Sequence, residues 1–120
     1  MDKIFLAIPK KSEYMSTIRL TSSALSNLKR FNVDEIEDIK VIISEICTFF
    51  INNISNINEP LNISYEINDN NLKIEVTDLN EGIIKDESLS DMSIMIIESL
   101  SDSYNFDLKN KKITFEKCIK

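Results

Sequence analysis

Few residues of this 120-residue chain have a type and a setting that could do chemistry. Glu45 lies inside a helical pattern, where a carboxylate is either a reactive group or a solvated helix residue. Asp78 closes an alternating strand pattern, with Gly82 four residues on; an aspartate there serves as a ligand acceptor or as a turn residue. Arg19 is one of only two arginines against twelve lysines. Its guanidinium fork suits carboxylate recognition at an interface, the other reading being a surface ion pair. Cys47 falls within the same pattern as Glu45 and reads as a small core residue rather than a reactive thiol. The absences are as informative. With no His, imidazole catalysis and His-containing metal sites are excluded. One glycine cannot build a Gly-rich phosphate loop, which excludes P-loop and Rossmann chemistry. Cys47 and Cys118 are too few for a disulfide framework, as in a reducing compartment.

The elements that must position these residues follow from periodicity. Residues 3–8 read as a strand closed by Pro9 and the basic pair Lys10-Lys11. Ser12 is the expected N-cap of a helix to about Arg30. Asn32 or Asp34 opens a second helix to about Ile54, with Asp34, Glu35, Glu37 and Asp38 crowding its positive end. Ile36, Ile39, Ile43, Ile46, Phe50 and Ile54 are spaced as its core stripe. Residues 61–67 and 72–78 alternate as two strands joined through Asp69-Asn70-Asn71. Ser90 begins a third helix to about Asp102, and residues 103–108 and 112–118 form a second hairpin around Asn110. The order β-α-α-β-β-α-β-β predicts a two-layer α/β sandwich: a mixed sheet of about five strands with three helices on one face.

Length allows one domain, residues 1–120, and 42% hydrophobic with 28% charged residues is an ordinary soluble balance. A net charge of −6 with scattered acids argues against a nucleic-acid partner. No apolar run approaches the roughly 18 residues of a membrane span, and the N-terminal residues lack a signal-peptide pattern. The expectation is a cytoplasmic protein that engages neither membrane nor nucleic acid.

Against this frame a resemblance emerges. Ile4-Phe5-Leu6-Ala7-Ile8-Pro9, Glu13-Tyr14, Ile18-Arg19-Leu20-Thr21, the run Asp34 to Val41, and Ser44-Glu45-Ile46-Cys47-Thr48 resemble bacterial anti-sigma factor serine kinases of the RsbW/SpoIIAB type. Ile96-Ile97-Glu98-Ser99-Leu100 extends the likeness. These kinases have the GHKL, or Bergerat, ATPase fold, whose element order is the one read above. The resemblance implies a homodimer that binds a sigma factor and phosphorylates a serine of an antagonist protein with ATP and Mg²⁺. It also implies that Glu45 stands where the family carries the base that activates that serine, and that Arg19 faces the sigma factor.

The nucleotide motifs that the resemblance implies are only partly present. Four residues after Glu45, where the family places an Asn on Mg²⁺, stands Phe49, which offers a hard cation no oxygen. In Asp78-Leu79-Asn80-Glu81-Gly82 the adenine-binding Asp and the last Gly of Asp-x-Gly-x-Gly remain, and Asn80 replaces the middle Gly. The phosphate-holding Gly-x-Gly is Asp91-Met92-Ser93, and a carboxylate at Asp91 repels a triphosphate. The Gly-Thr before the last strand is Asn110-Lys111. Metal and cofactor are therefore expected to be absent. The leading function is a partner-switching regulator that binds a sigma factor or antagonist protein without phosphorylating it, as a pseudokinase. Two alternatives stay open: an active serine/threonine kinase using ATP and Mg²⁺, and a structural paralogue that dimerises with an active kinase.

Overall fold

Apolar side chains at every second position build one face of the sheet. In a computed structural model describing residues 1–84 and 92–119, the strands are β1 (Asp2–Ile8), β2 (Leu61–Ile67), β3 (Asn71–Asp78), β4 (Ser103–Asp107) and β5 (Lys112–Cys118). Leu61, Ile63, Tyr65 and Ile67 of β2 are buried, as are Leu72, Ile74 and Val76 of β3 and Ile113 and Phe115 of β5. The register aligns these residues directly, Ile63 with Val76 and Ile74 with Phe115, so the apolar faces share one side. The intervening positions make a solvated face. Lys3, Glu66, Lys73 and Glu116 line up across four strands with alternating charge.

The spatial order is β1-β2-β3-β5-β4, and every neighbouring pair is antiparallel. This corrects the expected mixed sheet; the five strands and the two-layer α/β plan are otherwise as predicted. β1 pairs antiparallel with β2 across the two helices between them, which takes an odd number of chain reversals. After the third helix, β4 goes to the edge and leaves β5 beside β3, so the parallel strands β3 and β4 are not neighbours.

The helices are α1 (Met15–Asn27), α2 (Val33–Asn53) and α3 (Met92–Leu100), with a 3-10 turn at Ser12–Tyr14 before α1. Ser12 does not cap α1. The amide of Lys11 bonds the carbonyl of Pro9 at 2.8 Å in a three-residue turn, and the 3-10 turn that follows carries no side-chain cap. Nor does α1 reach Arg30. Its last amides tighten to i−3 partners, Leu28 to Leu25 and Lys29 to Ser26, and Arg30 takes a φ of 66° to reverse the chain. Asn32, not Asp34, then caps α2. Its side chain accepts from the Glu35 amide at 2.8 Å, and the Glu35 carboxylate accepts from the Asn32 amide at 2.9 Å, a complete capping box.

The apolar stripe of α2 is wider than expected. Ile42, Cys47 and Phe49 are buried with Ile36, Ile39, Ile43, Ile46, Phe50 and Ile54, so the helix sinks deep between the sheet and its neighbours. The expected start of the third helix at Ser90 lies outside the described residues.

Candidate functional site

The last residue of β3, Asp78, points its carboxylate inward and is fully buried. A buried carboxylate needs donors or a counter-ion, and this one has both from its own chain. Oδ1 accepts from the Asn80 amide at 2.9 Å and from Asn80 Nδ2 at 2.7 Å. Oδ2 meets the Lys10 ammonium at 2.7 Å as an ion pair and has no hydrogen-bond partner among the described residues. Asn80 is itself pinned in the buried turn by a reciprocal pair with the backbone of Glu59, at 2.7 and 2.8 Å.

The Lys10 side chain is as buried as that of Asp78. Its ammonium also donates to the carbonyls of Ile54 and Asn56. Ile54 caps the C-terminal end of α2, where free carbonyls and the negative pole of the helix dipole favour a cation. The ammonium thus spends N–H bonds on two carbonyls and sets its charge against Asp78 Oδ2. One side chain thus joins the end of β1, the end of α2 and the end of β3.

The remaining positions surround this pole. Gly82 has φ of 150°, a conformation that favours glycine, and a Cβ there would crowd Cγ2 of Ile54 at 3.0 Å. Lys111 sits in the left-handed region (φ 54°); its carbonyl accepts from the Asp78 amide, and its ammonium donates to the carbonyl of Asn80. Asn110 bonds Asp107 through both its amide and its side chain. Phe49 is buried in the core and meets Phe50 edge-to-face, ring centroids 5.8 Å apart. No oxygen is available from its side chain, and Asn53, a turn further on, bonds back to the Phe49 carbonyl. Ser93 is half-buried in the first turn of α3, and Asp91 lies outside the described residues.

Glu45 and Arg19 are placed elsewhere and together. Both line a shallow groove between α1 and α2 of about 350 Å³, with Glu37, Lys40, Val41 and Ser44. Glu45 is half-buried there, one turn from the sealed Phe49. Cys47, one residue past Ile46, is fully buried, and burial pushes its thiol up to about 12, which keeps it protonated and unreactive at neutral pH.

Asp78, Asn80, Gly82 and Lys111 are therefore brought to one pole, as their motifs imply, while Phe49 is withdrawn into the core. Lys10 is the residue the sequence does not announce. In sequence it is half of a basic pair after a strand, the pattern of a solvated turn. The turn at Pro9, closed by the Lys11 amide on the Pro9 carbonyl, holds Lys10 buried and Lys11 exposed. At the position where the motif implies adenine binding the carboxylate is ion-paired to Lys10, and at the position where it implies a metal ligand stands a buried ring.

No family model matches the chain. It is 37% identical over 82 residues to the serine-protein kinase RsbW of Oceanobacillus iheyensis, covering 67% of this chain and 52% of that protein. To the serine-protein kinase RsbW of Halalkalibacterium halodurans it is 29% identical over 85 residues, covering 71% of this chain and 52% of the relative. The chain thus spans about half the length of these curated relatives. A shorter stretch of 47 residues, 39% of this chain and 29% of the relative, is 49% identical to RsbW of Bacillus thuringiensis. Among solved structures, a crystal structure of the RsbU and RsbW domains of a Mycobacterium tuberculosis protein matches with a TM-score of 0.75. It does so at 12% identity, over 100% of this chain and 32% of that one, and so speaks to the fold alone. In fold this chain matches that two-layer α/β domain, and in sequence it is similar to the serine-protein kinases named RsbW.

Proposed function

We propose that the chain is a cytoplasmic partner-switching regulator of the anti-sigma type, which binds a sigma factor or an antagonist protein and neither binds ATP nor transfers phosphate. The observation that carries this reading is the Lys10 ammonium on Asp78, 2.7 Å apart with both side chains buried. A nucleotide would have to displace an internal ion pair before gaining its first contact with that carboxylate. Breaking such a pair costs about 3–5 kcal/mol, and micromolar affinity is only about 8 kcal/mol in all. Phe49 removes the oxygen that a hard metal ion would need at that point in the helix.

Protein recognition falls to the other pole of the molecule. Arg19 is half-buried in the groove between α1 and α2, where its fork can meet a carboxylate of a partner. Replacing it with Ala then weakens partner binding by about 1–3 kcal/mol, the range for a hydrogen bond to a charged group. A homodimer belongs to the same reading, because β1 is an edge strand with Ile4 and Phe5 exposed.

The experiment is calorimetry and thermal shift of the chain with ATP and Mg²⁺. The expected result is no binding up to millimolar nucleotide. A dissociation constant below about 100 µM, near 5.5 kcal/mol, overturns the reading in favour of the kinase, with Glu45 as its base.

A further inference from the structure

We infer that Lys10 is the resident ligand of the Asp78 site: the pocket is an acceptor cage for one primary ammonium, and the chain fills it with its own. The inference rests on the reading above only in treating the site as closed to nucleotide.

The composition of the cage points to this chemistry. Its three inward groups are the Ile54 carbonyl, the Asn56 carbonyl and Asp78 Oδ2, and all three are acceptors. They come from the end of α2, the loop after it and the end of β3, so the cage has a fixed shape only when those segments are docked. Two carbonyls and one carboxylate charge suit an R–NH₃⁺ group, which donates to the first two and offsets the third. An exocyclic aromatic amine carries two N–H bonds and no charge. It could serve the two carbonyls but would leave the carboxylate charge uncompensated in a site where Lys10 is 3% and Asp78 0% exposed. The far side of the carboxylate is closed by Asn80, which spends its amide and its Nδ2 on Oδ1. The cage therefore selects a cation over a nucleobase, and tethering that cation at position 10 makes occupancy permanent.

Removing the tether should make occupancy a binding equilibrium. In Lys10→Ala the melting temperature falls by roughly 10–20 °C, as for a buried pair that loses one member. Propylammonium chloride then restores part of the loss. At 100 mM, a ligand with a dissociation constant of about 10 mM returns roughly 5 °C. Wild type shows no such shift, and neither propanol nor sodium chloride at matched concentration substitutes. Absence of the initial loss, absence of rescue, or equal rescue by propanol overturns the inference. If Lys10→Ala does not fold, Lys10→Met keeps the methylene bulk without the charge. The urea midpoint of Lys10→Met should then rise when Asp78→Asn is added, since the second change removes the stranded carboxylate; a further fall overturns the inference. Nucleotide binding to wild type is measured in parallel. ATP binding below 100 µM defeats the regulator reading whatever the amine does, whereas failed rescue in a chain blind to ATP defeats only the role given to Lys10.

Discussion

The two ends of α2 are finished by opposite means. At the N-terminal end, Asn32 and Glu35 exchange two hydrogen bonds across three residues, in a half-exposed setting and within one segment. At the C-terminal end, Ile54 and the loop after it rely on Lys10, 44 and 46 residues away, and through it on Asp78. The first end is completed as soon as the helix forms. The second exists only when β1, α2 and β3 have come together, and it is dry. Local caps are interchangeable parts worth about 1 kcal/mol. A buried, long-range ion pair is a condition on the whole fold, costly to break and of little net benefit over an apolar filling.

The largest effect that tests this contrast comes from Asp78→Ala. It leaves the Lys10 ammonium buried with two carbonyls and no counter-charge, and should destabilise the chain by about 3–5 kcal/mol. Urea denaturation at neutral pH is the measurement, with the midpoint falling at an unchanged slope. A loss under about 1 kcal/mol would put the two ends of α2 on the same footing and remove the distinction drawn here.

Gly82→Ala comes next. The new Cβ meets Ile54 Cγ2 at 3.0 Å, and the φ of 150° is strained for any L residue, for a cost of about 1–3 kcal/mol. Measured in an Ile54→Ala background the same change should cost less, because only the backbone strain is left. Equal costs in both backgrounds would show that Ile54 plays no part. Asn32→Ala, at the opposite end, should lose about 1 kcal/mol, and Asn32→Ser should recover most of it.

This contrast also explains what could be read from the sequence. The core stripe of α2 and the alternation of β2, β3 and β5 depend on neighbours two to four residues away, and those were legible. Asn32 and Asp34 were both open as caps until the reciprocal bond with Glu35 decided between them. The antiparallel hairpins β2–β3 and β4–β5 were legible, but the pairing of β1 with β2 and the insertion of β5 between β3 and β4 were not, because those contacts join segments far apart in sequence. Phe49 was legible as a lost oxygen ligand, and its burial follows from its place one turn before Asn53 on a wide apolar face. Lys10 was not legible at all. A lysine after Pro9 carries the same local signature whether it faces water or the end of a helix, and only the arrival of Asp78 from 68 positions away distinguishes the two.

The smallest effect concerns a second aspartate built like the first. Asp107 ends β4 as Asp78 ends β3, and each carboxylate accepts both the amide and the side-chain N–H of an asparagine just downstream. Asp107 has no buried lysine. It is half-buried, and its carboxyl is held below its ordinary value, chiefly by the side-chain hydrogen bond from Asn110, with lesser help from the Asn110 amide and from Lys112 and Lys109. A carboxylate lowered on folding adds stability above the unfolded value of about 3.9 and loses it as pH falls through the folded one. The loss belongs to the acid side only, and solvent screening keeps it small. In Asn110→Ala the Asp107 titration, followed by NMR of its carboxyl carbon, should move up toward an ordinary aspartate while the melting temperature at pH 7 barely changes. A large fall in stability at pH 7 would mean that the same local motif carries weight without full burial. The cost of breaking the Asp78 pole would then owe less to Lys10 than to its asparagine.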